Sequence, residues 1–119
     1  MFRTGLMAIA IAAGFMASAA RSENLPAIPS GSELQVAAQA MVYARACDIR
    51  YKRPAMVWDS KNLFFKYASK TYADPMAVTN QAFNQAQTAT TRAYAKATAD
   101  FTVAFCNRLA QMFKTELKR

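Results

Sequence analysis

From Met76 to Arg119 the chain contains neither glycine nor proline, and that freedom from helix breakers constrains its fold more than any other feature. Asp74-Pro75 stands directly in front of the stretch. An Asp carboxylate accepts bonds from the first free amides of a helix, and Pro at the first helical position gives up an N–H that would be unpaired anyway. At 100° per residue, Met76, Phe83, Tyr94, Phe101, Phe105 and Met112 fall within about 40° of one another, which is the stripe a helix buries. The segment from Asp74 therefore reads as one long helix or two nearly collinear ones, which would extend roughly 60 Å if unbroken.

A second stripe lies beside the first. Ala82, Ala86, Ala89, Ala93, Ala97 and Ala104 span about 80° of the wheel; small residues let another helix approach closely, although alanine is also simply the best helix former. Gln81, Asn84, Gln85, Gln87, Thr88, Thr90 and Thr91 make the middle polar. That middle either projects into solvent or bends into two helices, with the break near Thr88 to Thr91. Cys106, Ala110 and Phe113 fall on a flank of the main stripe, which wedges the last third of the segment between two neighbours.

The other end of the chain is a targeting signal. Arg3 precedes an apolar run from Leu6 to Met16 and then Ala17-Ser18-Ala19-Ala20, the order of a secretory signal peptide cleaved after Ala19 or Ala20. The run is shorter than the ~20 residues of a spanning helix, and the expected destination is the periplasm. Residues 1–20 are thus signal, 21–31 an extended lead-in carrying Pro26, Pro29 and Gly31, and 32–119 a single helical domain. Loss of Arg3 lowers the net charge from the +8 of the full chain to +7. A basic excess of that size favours polyanionic partners or merely keeps a small exported protein soluble.

Two cysteines remain, Cys47 and Cys106, in a chain bound for an oxidising compartment, so one intramolecular disulfide is expected. It closes a loop of about 60 residues, which the chain-entropy model credits with about 4 kcal/mol. A redox or nucleophilic thiol is the rival reading, but there is no Cys-x-x-Cys spacing and no histidine.

Ser32-Glu33-Leu34-Gln35 matches a capping box and opens a first helix to about Arg50, with Val36, Ala40, Tyr43, Ala44 and Cys47 on its inner face. Arg50-Tyr51-Lys52-Arg53-Pro54 ends it. Positive charge there suits the helix macrodipole or forms a contact patch for an anion or acidic partner. After Met56, Val57 and Trp58, Asp59 or Ser60 caps a short second helix through Leu63, Phe64, Tyr67, Ala68 and Thr71. Leu63-Phe64-Phe65 is broader than one face, leaving a ring exposed or packed on another chain. Trp58 reads as a core plug or as an interface anchor.

The expected fold is therefore all-α: a small three- to four-helix bundle with a long C-terminal helix, closed by one disulfide. With the cross-link near the C-terminal end of both the first and last helices, these two run in the same direction and the middle one returns. The excess length of the last helix is covered either by folding back into a fourth helix or by a second copy, as a homodimer.

No catalytic constellation emerges. Without histidine the usual general base and commonest metal ligand are missing, and Glu23, Glu33, Asp48, Asp59, Asp74, Asp100 and Glu116 are scattered singly. Nothing around Gly31 makes a phosphate-cradling loop, and Met41, Met56, Met76 and Met112 are spread over different elements. No enzyme activity, cofactor or metal is expected, and no nucleic acid, since the basic residues are distributed over all elements.

In architecture, being small, exported, all-helical and single-disulfide, the chain resembles the helical immunity proteins of type VI secretion and the periplasmic acid-stress chaperones. The chaperones carry an aromatic and acidic run after the first Cys, where Cys47-Asp48-Ile49-Arg50-Tyr51 is basic, so no residue is carried over. The leading expectation is a periplasmic protein–protein interaction module of inhibitor, immunity or secretion-accessory type that binds another envelope protein. The alternative is a basic envelope-surface binder of anionic lipid or glycan, with Arg50, Tyr51, Lys52, Arg53, Trp58, Lys61, Lys66 and Lys70 as the candidate patch, joined by Tyr67. A periplasmic holdase ranks third, because the chain has little to titrate.

Overall fold

The computed structural model describes residues 31–97 and 100–119; the expected signal peptide and the lead-in before residue 31 lie outside the described residues. Within them the chain forms five helices: α1 (Glu33–Tyr51), α2 (Pro54–Ala68), α3 (Pro75–Ala89), α4 (Arg92–Ala97) and α5 (Val103–Lys118). The all-α bundle is as expected, and so is its cross-link, a Cys47–Cys106 disulfide with the Cα atoms 5.9 Å apart.

Local chemistry explains most boundaries. Ser32 Oγ accepts from the Gln35 N–H at 3.3 Å and Asp74 Oδ1 from the Ala77 N–H at 3.2 Å, each satisfying an amide that lacks an intrahelical partner. Lys52 turns left-handed at φ 56° and its N–H donates to Asp48 O at 2.7 Å, closing α1. Pro54 then starts α2 rather than ending α1 at a distance: it sits at N1 after the non-helical Arg53, where its missing N–H is no loss. This corrects the expected cap at Asp59 or Ser60. Ser60 lies buried inside α2 and donates to Val57 O at 2.7 Å.

The C-terminal segment is the main departure. It is divided into α3, α4 and α5, and no single helix of about 60 Å exists in a molecule whose longest dimension is 39 Å. Thr90 leaves the helix in an extended conformation, and Thr91 Oγ1 accepts from the Tyr94 N–H at 3.1 Å to start α4. Thr102 repeats the device, accepting from the Phe105 N–H at 3.1 Å. Thr and Asp compete with the helix through such local bonds, and the folded-back arrangement buries far more apolar surface than a protruding rod would.

Breaking the segment reverses the expected topology. Cys106 lies in the first turn of α5, not near the end of a long helix, so the disulfide joins the C-terminal end of α1 to the N-terminal end of α5. The Lys70–Glu33 ion pair at 3.5 Å brings the end of α2 to the start of α1, and Tyr67 donates to Glu116 at 2.7 Å, bringing the ends of α2 and α5 together. Hence α1 runs antiparallel to both. The uncovered stripe that called for a second copy does not arise, because Phe101, Phe105, Leu109 and Phe113 are buried in the chain's own core.

α1 is central and touches all four other helices. It buries Ala37, Ala40, Ala44 and Ala46, so the small-residue ridge that admits close neighbours is here; of the ridge expected on the C-terminal segment, Ala86 is buried while Ala89 and Ala104 are exposed. Tyr43 meets Phe101 and Phe105 edge-on with centroids 5.5 Å apart, and Phe101 meets Phe105 at 5.6 Å. Such pairs add about 1 kcal/mol each beyond the area they bury, and they fasten α5 to α1 beside the disulfide. Cys106 and Phe113 are fully buried where α5 packs between α1 and α2.

Candidate functional site

The eight residues of the candidate patch do not form one surface. At the junction of α1 and α2, Arg50 Nη1 donates to the carbonyls of Ala95 at 2.8 Å and Lys96 at 3.2 Å, closing the C-terminal turn of α4 as a cation does best. Tyr51 OH donates to Phe101 O at 2.7 Å, pinning the connector before α5. Both therefore hold the fold together. Lys52 is the exposed left-handed residue and Arg53 the half-buried start of α2.

Lys66 and Lys70 stand at the opposite end of α2, about 20 Å away along a helix of this length. Lys66 donates to Glu116 O. Lys70 pairs with Glu33 and lies 5.4 Å from the Tyr67 ring centroid. Burial first, and the bond to Glu116 second, push Tyr67 up to about 12. Glu116 is held below the usual carboxylate range, by the Tyr67 hydrogen bond above all and by Arg119, with burial acting in the opposite sense. These contacts make the α2 end a packed polar seam.

Trp58 and Lys61 form the part of the patch that faces outward. Trp58 is 57% exposed, which decides between core plug and surface anchor in favour of the surface. Its indole stacks on Phe83 of α3, with centroids 6.0 Å apart and planes 16° from parallel. Lys61 Nζ lies over both rings, 4.7 Å from the Phe83 centroid and 5.6 Å from that of Trp58, within the range of a cation–π attraction. Among the described residues no carboxylate forms an ion pair with this ammonium.

The surface extends along both helices. Phe65 lies seven residues after Trp58 and Met76 seven before Phe83, hence on the same faces; both are exposed, Met76 by 52%. Sequence reasoning placed Phe83 and Met76 in the core stripe of the long helix. Of that stripe Phe101 and Phe105 are fully buried, Phe83, Tyr94 and Met112 are half-buried against the core, and Met76 is exposed, because the breaks after α3 and α4 change the helix phase. The signal available was the polar middle of α3, whose Gln and Asn residues leave too few apolar positions for burial of both flanks.

A different surface is carried by α5, whose outer face bears exposed Arg108, Lys114 and Lys118 and no carboxylate, Glu116 being turned to the α2 seam. Among the described residues no three His, Cys, Asp or Glu side chains gather as a metal site, both cysteines are bonded, and no helix is long and apolar enough to cross a membrane. The class so defined is a small, basic, disulfide-closed all-α bundle with an exposed aromatic surface. No protein-family model, curated protein sequence or solved structure is significantly similar to the chain.

Proposed function

We propose that this protein is an exported, non-enzymatic interaction module that binds another envelope protein through the α2–α3 surface centred on Trp58. The observation that carries the reading is Trp58 itself: a largely exposed indole, stacked on Phe83 and flanked by Phe65 and Met76. Large rigid aromatics supply contact area at low entropic cost and dominate binding energy where they become buried. Of the cations at the α1–α2 junction, Arg50 is engaged with the carbonyls of α4, which leaves Lys52 and Arg53 there.

The test is a pull-down from envelope extract with three disulfide-bonded proteins: wild type, Trp58→Ala/Phe83→Ala, and Lys52→Glu/Arg53→Glu, which keeps the Arg50 anchor of α4. A protein band kept by the wild type and lost with the two aromatic rings is the expected result. Loss only in the charge-reversed protein, with its helical content intact, would sink it.

A second reading has its own observation. The carboxylate-free outer face of α5, with Arg108, Lys114 and Lys118, suits an anionic lipid or glycan. Binding to phosphatidylglycerol vesicles that collapses by about 0.5 M salt, where screening acts within a few Å, and that is lost in Arg108→Glu/Lys114→Glu, would establish it.

A further inference from the structure

We infer that the α2–α3 surface receives an amphipathic protein segment flanked by carboxylates, one of which takes the Lys61 ammonium while the segment's apolar face covers Trp58, Phe83 and Phe65. The inference rests on the interaction-module reading and names the chemistry of the partner. Three observations lead to it. First, the exposed residues of α2, Pro54, Ala55, Trp58, Asn62 and Phe65, are uncharged, and the half-buried Asp59 and Lys61 stand on opposite borders of that face, so its centre is uncharged and carries the two exposed rings of Trp58 and Phe65. Second, Lys61 borders that face with its ammonium held over two rings and unpaired with any carboxylate among the described residues. A cation positioned by ring faces keeps its hydrogen-bond donors available for an incoming anion.

Third, the basic net charge, +8 for the full chain and +7 without Arg3, selects among occupants. A second copy would bring its own Lys61 to the same apolar face across a twofold contact, and like charges there disfavour association. An acidic segment is complementary both locally and to the whole molecule. A bilayer is the poorer match, because Trp58 lies flat on Phe83 instead of projecting as a wedge; flat stacked rings suit a layer of side chains.

Trp58 is the only tryptophan, so its fluorescence reads this surface alone. The disulfide-bonded protein is titrated with two Trp-free amphipathic helical peptides that share one leucine face, one flanked by Glu and one by Lys, and separately with phosphatidylglycerol vesicles. The expected result is a saturable blue shift with the Glu peptide at a Kd about tenfold below that of the Lys peptide, a preference inverted in Lys61→Glu. Circular dichroism confirms that this surface variant is folded. Equal response to both peptides, or a preference that survives Lys61→Glu, overturns the assigned carboxylate while leaving the interaction module to stand on the pull-down. A shift with vesicles and neither peptide, or with no probe, overturns the inference outright.

Discussion

Two side chains meet at the Glu116 carboxylate: Tyr67 OH and Arg119 Nη2 donate to it at 2.7 and 2.9 Å, and Lys66 donates to the carbonyl of the same residue. Its folded pKa lies below the ordinary value, chiefly through the Tyr67 bond. The stability it contributes is therefore present above its unfolded pKa of about 4.3 and lost as pH falls through the folded pKa. Tyr67 works in the opposite direction: raised to about 12, it contributes stability below about pH 10 that fades as pH climbs toward 12. Tyr67→Phe is expected to lower stability by about 1 kcal/mol at pH 6 and to flatten both limbs. Urea unfolding at pH 3, 6 and 11 measures this, and unchanged slopes would remove the pair from any account of pH dependence. At this scale the sequence was a poor guide. Nothing local links residue 67 to 116, and in Met56-Val57-Trp58 three consecutive apolar side chains leave open which one points outward.

Helix ends were far more legible, because a cap is a bond over three residues. Ser32 and Asp74 act as their spacing implied, and the Thr88–Thr91 cluster does end α3. The interruption at residues 100–102 was not legible, since no Gly or Pro marks it and part of what holds it is Tyr51 reaching Phe101 O from fifty residues away. α4 has only six residues, too few to persist alone, and depends on Thr91 at one end and Arg50 at the other. Arg50→Ala is expected to cost about 2 kcal/mol, as charge-assisted bonds do, and Thr91→Ala about 1 kcal/mol. Both should raise amide exchange at Tyr94 and Ala95 far more than in the core of α1. Uniform acceleration across the chain would instead mean that α4 unfolds only with the whole molecule.

For the molecule as a whole, the disulfide joins residues 59 apart in sequence, beside the Tyr43, Phe101 and Phe105 rings. Replacing both cysteines by alanine should lower the unfolding free energy by about 4 kcal/mol, a large share of what a domain of this size has. Chemical denaturation of the double variant checks it; a loss below about 1 kcal/mol would show that the aromatic contacts alone hold α5 in place. Trp58→Ala, by contrast, should leave stability within about 1 kcal/mol of the wild type while removing partner capture, since an exposed ring contributes little to folding.

By itself, the sequence determined that the described chain is helical, where two of its helices begin, at Ser32 and Asp74, and that Cys47 meets Cys106. Each follows from residues close in the chain or from there being one possible pair of thiols. Only the tertiary structure decided that the C-terminal segment folds back as three helices, that α1 and α5 run antiparallel, and that Arg50 and Tyr51 face inward while Trp58 faces out. The physical reason is that helical periodicity places side chains relative to their own axis alone. Which side of that axis is buried depends on where the other helices lie, and contacts across fifty residues set that.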